Sequence, residues 1–163
     1  NNLYSFNFDF RQCTLRFSPP SPNLPMNCIR VEAARDFCAF VGGRLPTASE
    51  WQAEASAGGT RTYPWGNEAP DCTRANYAAQ AGPCQNDTLT PPCALPAGNS
   101  VSGLCDMAGN AGEIIEDSSG GSVRLAGGSI DTGSAGLRAD GEVQRPDGVG
   151  TGFAGFRCVK DRQ

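Results

Sequence analysis

The sequence predicts an α+β fold in which short helices and strands are carried on long, cross-linked loops. Three observations lead there. The 163 residues hold 21 glycines and 12 prolines with only 8% aromatics, a composition that favours turns over long regular elements. The hydrophobic spacing switches along the chain from period 2 to period 3.6 and back. Eight cysteines, an even set without any CxxC pair, read as disulfides rather than as a zinc ribbon or a redox motif. A chain of this length forms a single domain, residues 1–163, with its own core.

In chain order, residues 1–10 alternate Leu3, Tyr4, Phe6, Phe8 and Phe10 with Ser5, Asn7 and Asp9, the pattern of a strand with one buried face. Such a terminal strand pairs within the chain by default, and could equally pair with a neighbouring molecule. Residues 18–25, Ser-Pro-Pro-Ser-Pro-Asn-Leu-Pro, lack the donors for a ladder and form an extended connection. From Val31, the residues Ala34, Phe37, Cys38 and Val41 share one helical face, and Gly42-Gly43 ends the helix. Thr47-Ala48-Ser49-Glu50 has the form of a capping box, so a second helix follows, with Trp51 and Ala55 inward, to Gly58-Gly59. Beyond Tyr63-Pro64-Trp65-Gly66 the chain is loop to about residue 103, with Cys72, Cys84 and Cys93 placed to staple it. Residues 122–126 and 155–159 read as short strands, the latter with Phe156 and Cys158 on one face, and 131–152 as mostly loop.

Charge and composition exclude several functions. The net charge is −4 and the 13 Lys and Arg are dispersed, which argues against a nucleic-acid footprint. No apolar run reaches membrane-spanning length. The absence of histidine removes the usual general base, the usual zinc ligand and any Ser-His or Cys-His pair. Eight paired cysteines imply an oxidising place, extracellular, cell-surface or periplasmic, and with no leader pattern the chain reads as a processed secreted product.

The stretch 103–113, Gly-Leu-Cys-Asp-Met-Ala-Gly-Asn-Ala-Gly-Glu, combines two carboxylates with turn-forming glycines. It suits either a hard cation held by Asp106, Glu113 and backbone carbonyls, or a tight loop in which those carboxylates cap or pair.

Gly-Gly-Arg-Leu-Pro-Thr-Ala-Ser-Glu-Trp at 42–51, Tyr-Pro-Trp-Gly at 63–66, Gly-Leu-Cys-Asp-Met-Ala-Gly-Asn at 103–110, Gly-Gly-Ser at 127–129 and Gly-Phe-Arg-Cys at 155–158 closely resemble the formylglycine-generating enzyme (sulfatase-modifying factor) family. The resemblance covers residues 25–160, leaving 1–24 as the N-terminal strand and Pro-rich connection. It implies an irregular C-type lectin-like fold of two short helices and small antiparallel sheets. It also implies structural calcium at Asp106, Gly109, Ala111 and Glu113, and a second calcium at Asn76 and Tyr77, for which Asp87 is the nearby carboxylate. It places Cys38 opposite Cys158. For the other six cysteines sequence proximity suggests Cys13 with Cys28, Cys72 with Cys84 and Cys93 with Cys105, one of fifteen pairings.

The family's enzymes oxidise a substrate cysteine with dioxygen on Cu(I) held by two cysteines after Gly-Gly-Ser. Those positions are Thr132 and Leu137 here, neither a soft ligand, so no copper is expected. The family's usual Trp after the Asn is Gly112, and Ser129 is expected to serve local backbone amides. A branch with iron held by histidines does not fit a chain without histidine. A branch of variable ligand-binding proteins is rich in Asn, Tyr and Ser where residues 130–150 offer Asp131, Asp140, Glu142 and Asp147. The resulting expectation is a secreted, non-catalytic binding or structural module, with a protein partner or self-assembly. The alternatives are an oxidase with an unrecognised site and a carbohydrate-binding lectin-like protein, for which the Glu-Pro-Asn and Trp-Asn-Asp ligands are missing.

Overall fold

The computed structural model describes residues 13–14, 23–117, 123–144 and 153–161. The alternating segment 3–10 and most of the proline stretch lie outside the described residues. Helix α1 is Val31–Phe40 and buries Val31, Ala34 and Cys38; of the face that the spacing predicts, Ala34 and Cys38 are inside, whereas Phe37 is exposed. Helix α2, Ala48–Ala55, opens on the expected capping box, with Thr47 and Glu50 each satisfying the other's backbone amide, and buries Trp51 and Ala55.

A hairpin of β1 (Ala78–Ala79) and β2 (Gly82–Pro83) stands apart from the main sheet. That sheet has the order β5-β4-β3-β6, with β3 at Gly112–Glu116, β4 at Val123–Ala126, β5 at Glu142–Gln144 and β6 at Ala154–Gly155. Strand β3 runs antiparallel to β4, pairing Ile114 with Leu125, and parallel to β6, pairing Glu113 with Gly155.

Successive β3 side chains point to opposite faces, and both faces are covered. Ile114 packs with Val31, Ala34, Cys38 and Leu45 of the α1 side, while Ile115 packs with Trp51, Ala55, Met107 and Ala126 of the α2 side. Phe156 and Cys158 both lie against the α1 cluster, although the strand expected over 155–159 is confined to Ala154–Gly155. Arg35 of α1 pairs with Glu116 at the end of β3. A third cluster, Ala75, Tyr77, Cys84, Ala108 and Leu137, sits under the long loop.

Four disulfides join Cys13–Cys28, Cys38–Cys158, Cys72–Cys84 and Cys93–Cys105, so all eight cysteines are paired. None of the described helices is long and apolar enough to cross a membrane.

Candidate functional site

The loop leading into β3 is held in its turns by left-handed backbone at Asp106, Gly109 and Asn110 (φ 54°, 78° and 61°). Asp and Asn tolerate that region better than most residues. At Gly109 no side chain is admissible, because a Cβ would stand 2.5 Å from the Asn76 carbonyl oxygen. This close approach lets the Asn110 amide donate to Asn76 O at 2.7 Å and joins the loop to residue 76.

Two carboxylates meet in the loop. Glu113 is almost wholly buried, and its Oε2 accepts Trp51 Nε1 and Arg157 Nε, each at 2.6 Å. Arg157 Nη2 donates both to Glu113 Oε1 and, at 3.0 Å, to Cys105 O. Burial works against the Arg157 charge, but the field and hydrogen bonds of Glu113 outweigh it and raise the guanidinium above its ordinary value. Asp106 Oδ2 accepts the Cys93 amide at 2.6 Å. Burial pushes the Asp106 carboxyl up, with Glu113 adding to the shift against the Cys93 hydrogen bond and Arg157. Both carboxylates and Arg157 line a cavity of about 410 Å³, together with Leu24, Met26 and Phe156.

Of the expected calcium residues, Asp106, Ala111 and Glu113 line this one cavity and Gly109 is not among its lining residues, while Arg157 joins them as an addition that the sequence reading lacks. Among the described residues, Asp106 Oδ1 has no hydrogen-bond partner and Glu113 Oε1 takes one donor, so each keeps a lone pair for a cation. The two carboxylates outnumber the one guanidinium, which favours a cation while Arg157 opposes it. This donor set fits a hard cation with Arg157 remaining on Glu113.

The second locus is more telling. Asn76 is fully buried, its Nδ2 donates to Thr88 O at 2.8 Å, and its Oδ1 has no hydrogen-bond partner among the described residues. Thr90 Oγ1 is likewise buried and unpartnered. Thr90 exchanges two hydrogen bonds with the Asn110 side chain, at 3.0 and 3.1 Å, so both orphan oxygens belong to one network. An unsatisfied buried oxygen costs about 1–3 kcal/mol, which a cation would relieve. The Tyr77 carbonyl, by contrast, already accepts the amides of Ala79 and Cys84. Asp87 ends a short 3-10 turn, Cys84–Asp87, and its side chain is outside the described set. Thr90 and Asn110 are the participants that sequence reasoning missed; a buried Asn-Thr pairing across the loop has no local signature.

At the third locus, Leu137 is wholly buried in the cluster with Tyr77 and Ala108. Thr132 Oγ1 accepts the Ser129 amide at 3.1 Å. The expectation for Ser129 is corrected here: Thr132 serves the backbone amide, and the Ser129 hydroxyl donates to Asp131, so a carboxylate does stand beside it. Without an imidazole this arrangement is a hydrogen-bonded turn. Gly112 lies among the carbonyls of Gly128 and Phe153, which a Cβ would meet at 3.4 and 3.5 Å, ordinary van der Waals contact.

The described cysteine-acid grouping, Cys93, Cys105 and Asp106, has its sulfurs committed to a disulfide and offers a cation only the carboxylate.

The profile of the sulfatase-modifying factor enzyme 1-like domain matches residues 9–162, further toward the N-terminus than the motifs reach. Hercynine oxygenase of Mycobacterium tuberculosis is 36% identical over 95 residues, 55% of this chain and 21% of that protein. Serine/threonine-protein kinase Pkn1 of Chlamydia trachomatis serovar L2 is 40% identical over 86 residues, 52% of this chain and 12% of that protein. The chain thus spans about a fifth or less of the length of these relatives. The structure of PvdO from Pseudomonas aeruginosa superposes with a TM-score of 0.67 at 19% identity, over 84% of this chain and 62% of that one, a likeness of fold.

Proposed function

Since the chain belongs to the sulfatase-modifying factor enzyme 1-like family, the question is which of the family's properties it keeps; we propose that it is a non-catalytic binding module of an oxidising compartment, stiffened by disulfides and calcium. The observation that carries this reading is the fate of sulfur. Cu(I) is selected by thiolates, and all eight cysteines are consumed in four disulfides, while Leu137 is part of the core and Thr132 is bonded to Ser129. The same segment has relatives within proteins named as an oxygenase and as a kinase, which supports a scaffold that different chains use differently.

Calcium has two supports. Asp106, with Glu113 and the carbonyls of Gly109 and Ala111, would hold one ion. The unpartnered Asn76 Oδ1 supports another, with Asp87 as the candidate carboxylate. Bound there, calcium would pin the loop to Asn76 and offset the burial of Asp106. The occupant of the remaining surface is a protein partner or a second copy.

An oxygenase contribution is the second reading, favoured by the likeness to hercynine oxygenase. This chain would bring it no imidazole and no thiolate, so any metal ligands of those types would come from elsewhere. Native mass spectrometry of the chain with added calcium, Cu(I) or a chelator separates the readings. The module retains calcium and no copper; stoichiometric copper retention would return it to the enzymes.

A further inference from the structure

We propose that the hollow between the C-terminal end of α2 and the turn 138–140 binds a small polar molecule through its carboxylate. The hollow measures about 330 Å³ and is lined by Ser56, Thr60, Arg61, Asn67, Arg138 and Asp140, among others. It is a fixed feature, because Ala139 donates its amide to Thr62 O at 2.8 Å and so ties the two walls together.

Most polar groups of the hollow are already hydrogen-bonded within the chain. The Ser56 hydroxyl donates to Gln52 O at 2.6 Å and accepts Gly59 N at 2.8 Å. Thr60 Oγ1 donates to Ala57 O at 3.0 Å. Asn67 Oδ1 accepts both the amide and the hydroxyl of Thr62, at 2.8 and 2.9 Å. That double acceptance fixes which end of the Asn67 amide is oxygen, and leaves Nδ2 as an uncommitted donor.

Arg61 makes only two long contacts, from Nη1 to the carbonyls of Pro64 and Trp65 at 3.4 and 3.3 Å, and it pairs with no carboxylate among the described residues. Arg138, in contrast, is matched by Asp140 at 2.8 and 3.1 Å. The hollow therefore carries a local charge of +1, from Arg61, on a chain whose net charge is −4.

A guanidinium with a free edge and an amide donor lining the same hollow suit a planar oxyanion, held by charge-assisted bonds. One uncompensated positive charge matches a monoanion, and the neighbouring Asp140 disfavours a phosphate dianion. The volume is at the small end of the range for ligand sites, about 300–1,000 Å³, which restricts the ligand to a single sugar acid, amino acid or comparable unit.

The test is a titration of the full 15N-labelled chain, followed by amide and side-chain shifts, with three probes: glucuronate, acetate, and glucuronamide as the neutral counterpart. Glucuronate produces saturable shifts confined to residues 56–67 and 138–140, acetate reproduces them more weakly, and glucuronamide does not. Arg61→Gln weakens glucuronate by about tenfold or more, the loss of a charge-assisted bond. Asn67→Asp keeps an oxygen for Thr62 but replaces the free donor with a repelling carboxylate, so it weakens binding while the remaining spectrum is unchanged. The inference is overturned if neither carboxylate gives saturable shifts there, if glucuronamide binds equally, or if affinity survives in both variants.

Discussion

The Cys38–Cys158 bridge gives the sharpest prediction about stability. It closes a loop with a sequence separation of 120, against 12 for Cys72–Cys84. If cross-links act by restricting the unfolded ensemble, the longer loop is worth about 5 kcal/mol and the shorter about 3 kcal/mol. Domains of this size have about 5–15 kcal/mol in total, so the long bridge is a large share. The double variant Cys38→Ala/Cys158→Ala also removes a fully buried sulfur from the cluster of Val31, Ala34, Leu45 and Ile114, adding a packing loss in the same direction. At about 2–4 °C per kcal/mol for a chain of this length, Tm falls by roughly 10–20 °C, and in Cys72→Ala/Cys84→Ala by roughly 6–12 °C. Calorimetry of both variants under non-reducing conditions makes the comparison. Equal shifts, or a smaller one for the 38–158 variant, would refute the loop-length reasoning.

Other perturbations have definite expected outcomes. Arg157→Met strands the Glu113 carboxylate, whose side chain is only 8% exposed; urea unfolding shows a loss of about 3–5 kcal/mol, and adding Glu113→Gln recovers most of it. Thr47→Ala removes the cap of α2 and lowers stability by about 1 kcal/mol, whereas Thr47→Ser is neutral within the error of the same measurement. Glu50 is held down from 4.5 to about 2, chiefly by its hydrogen bond from the Arg44 side chain. A depressed carboxylate contributes stability above its unfolded value and loses it as pH falls from 4.5 toward 2; the pair is exposed, so the contribution is small. An NMR titration finds the low midpoint, and Arg44→Gln returns it toward the ordinary value. Asp106→Asn removes a charge that burial disfavours, so it stabilises the calcium-free chain, and by trading a carboxylate for a neutral ligand it reduces the calcium-dependent rise in Tm.

Elements with a local signature were legible in the sequence. The spacing of Ala34 and Cys38 and the Thr47-Glu50 box gave both helix starts, although Phe37 of the expected face is exposed and the second helix ends at Ala55, short of Gly58-Gly59. The central strand was not legible, because Glu113-Ile114-Ile115-Glu116 is buried on both faces and shows no alternation. At the site, Asp106 and Glu113 stand out as acids in a glycine-rich loop. Arg157, 44 positions from Glu113, does not announce its partner, and neither does Thr90, 20 positions from Asn110. Those contacts depend on how strand β3 is laid beside its neighbours, and are set by tertiary packing alone.

The central claim is that this member of the family retains the scaffold without the copper chemistry. It is tested most directly by incubating the chain with Cu(I), dioxygen and a cysteine-containing peptide, and following the peptide by mass spectrometry. The account predicts that the peptide cysteine is converted no faster than in copper alone. Formylglycine produced over several turnovers, and abolished by heat denaturation of the chain, would contradict it.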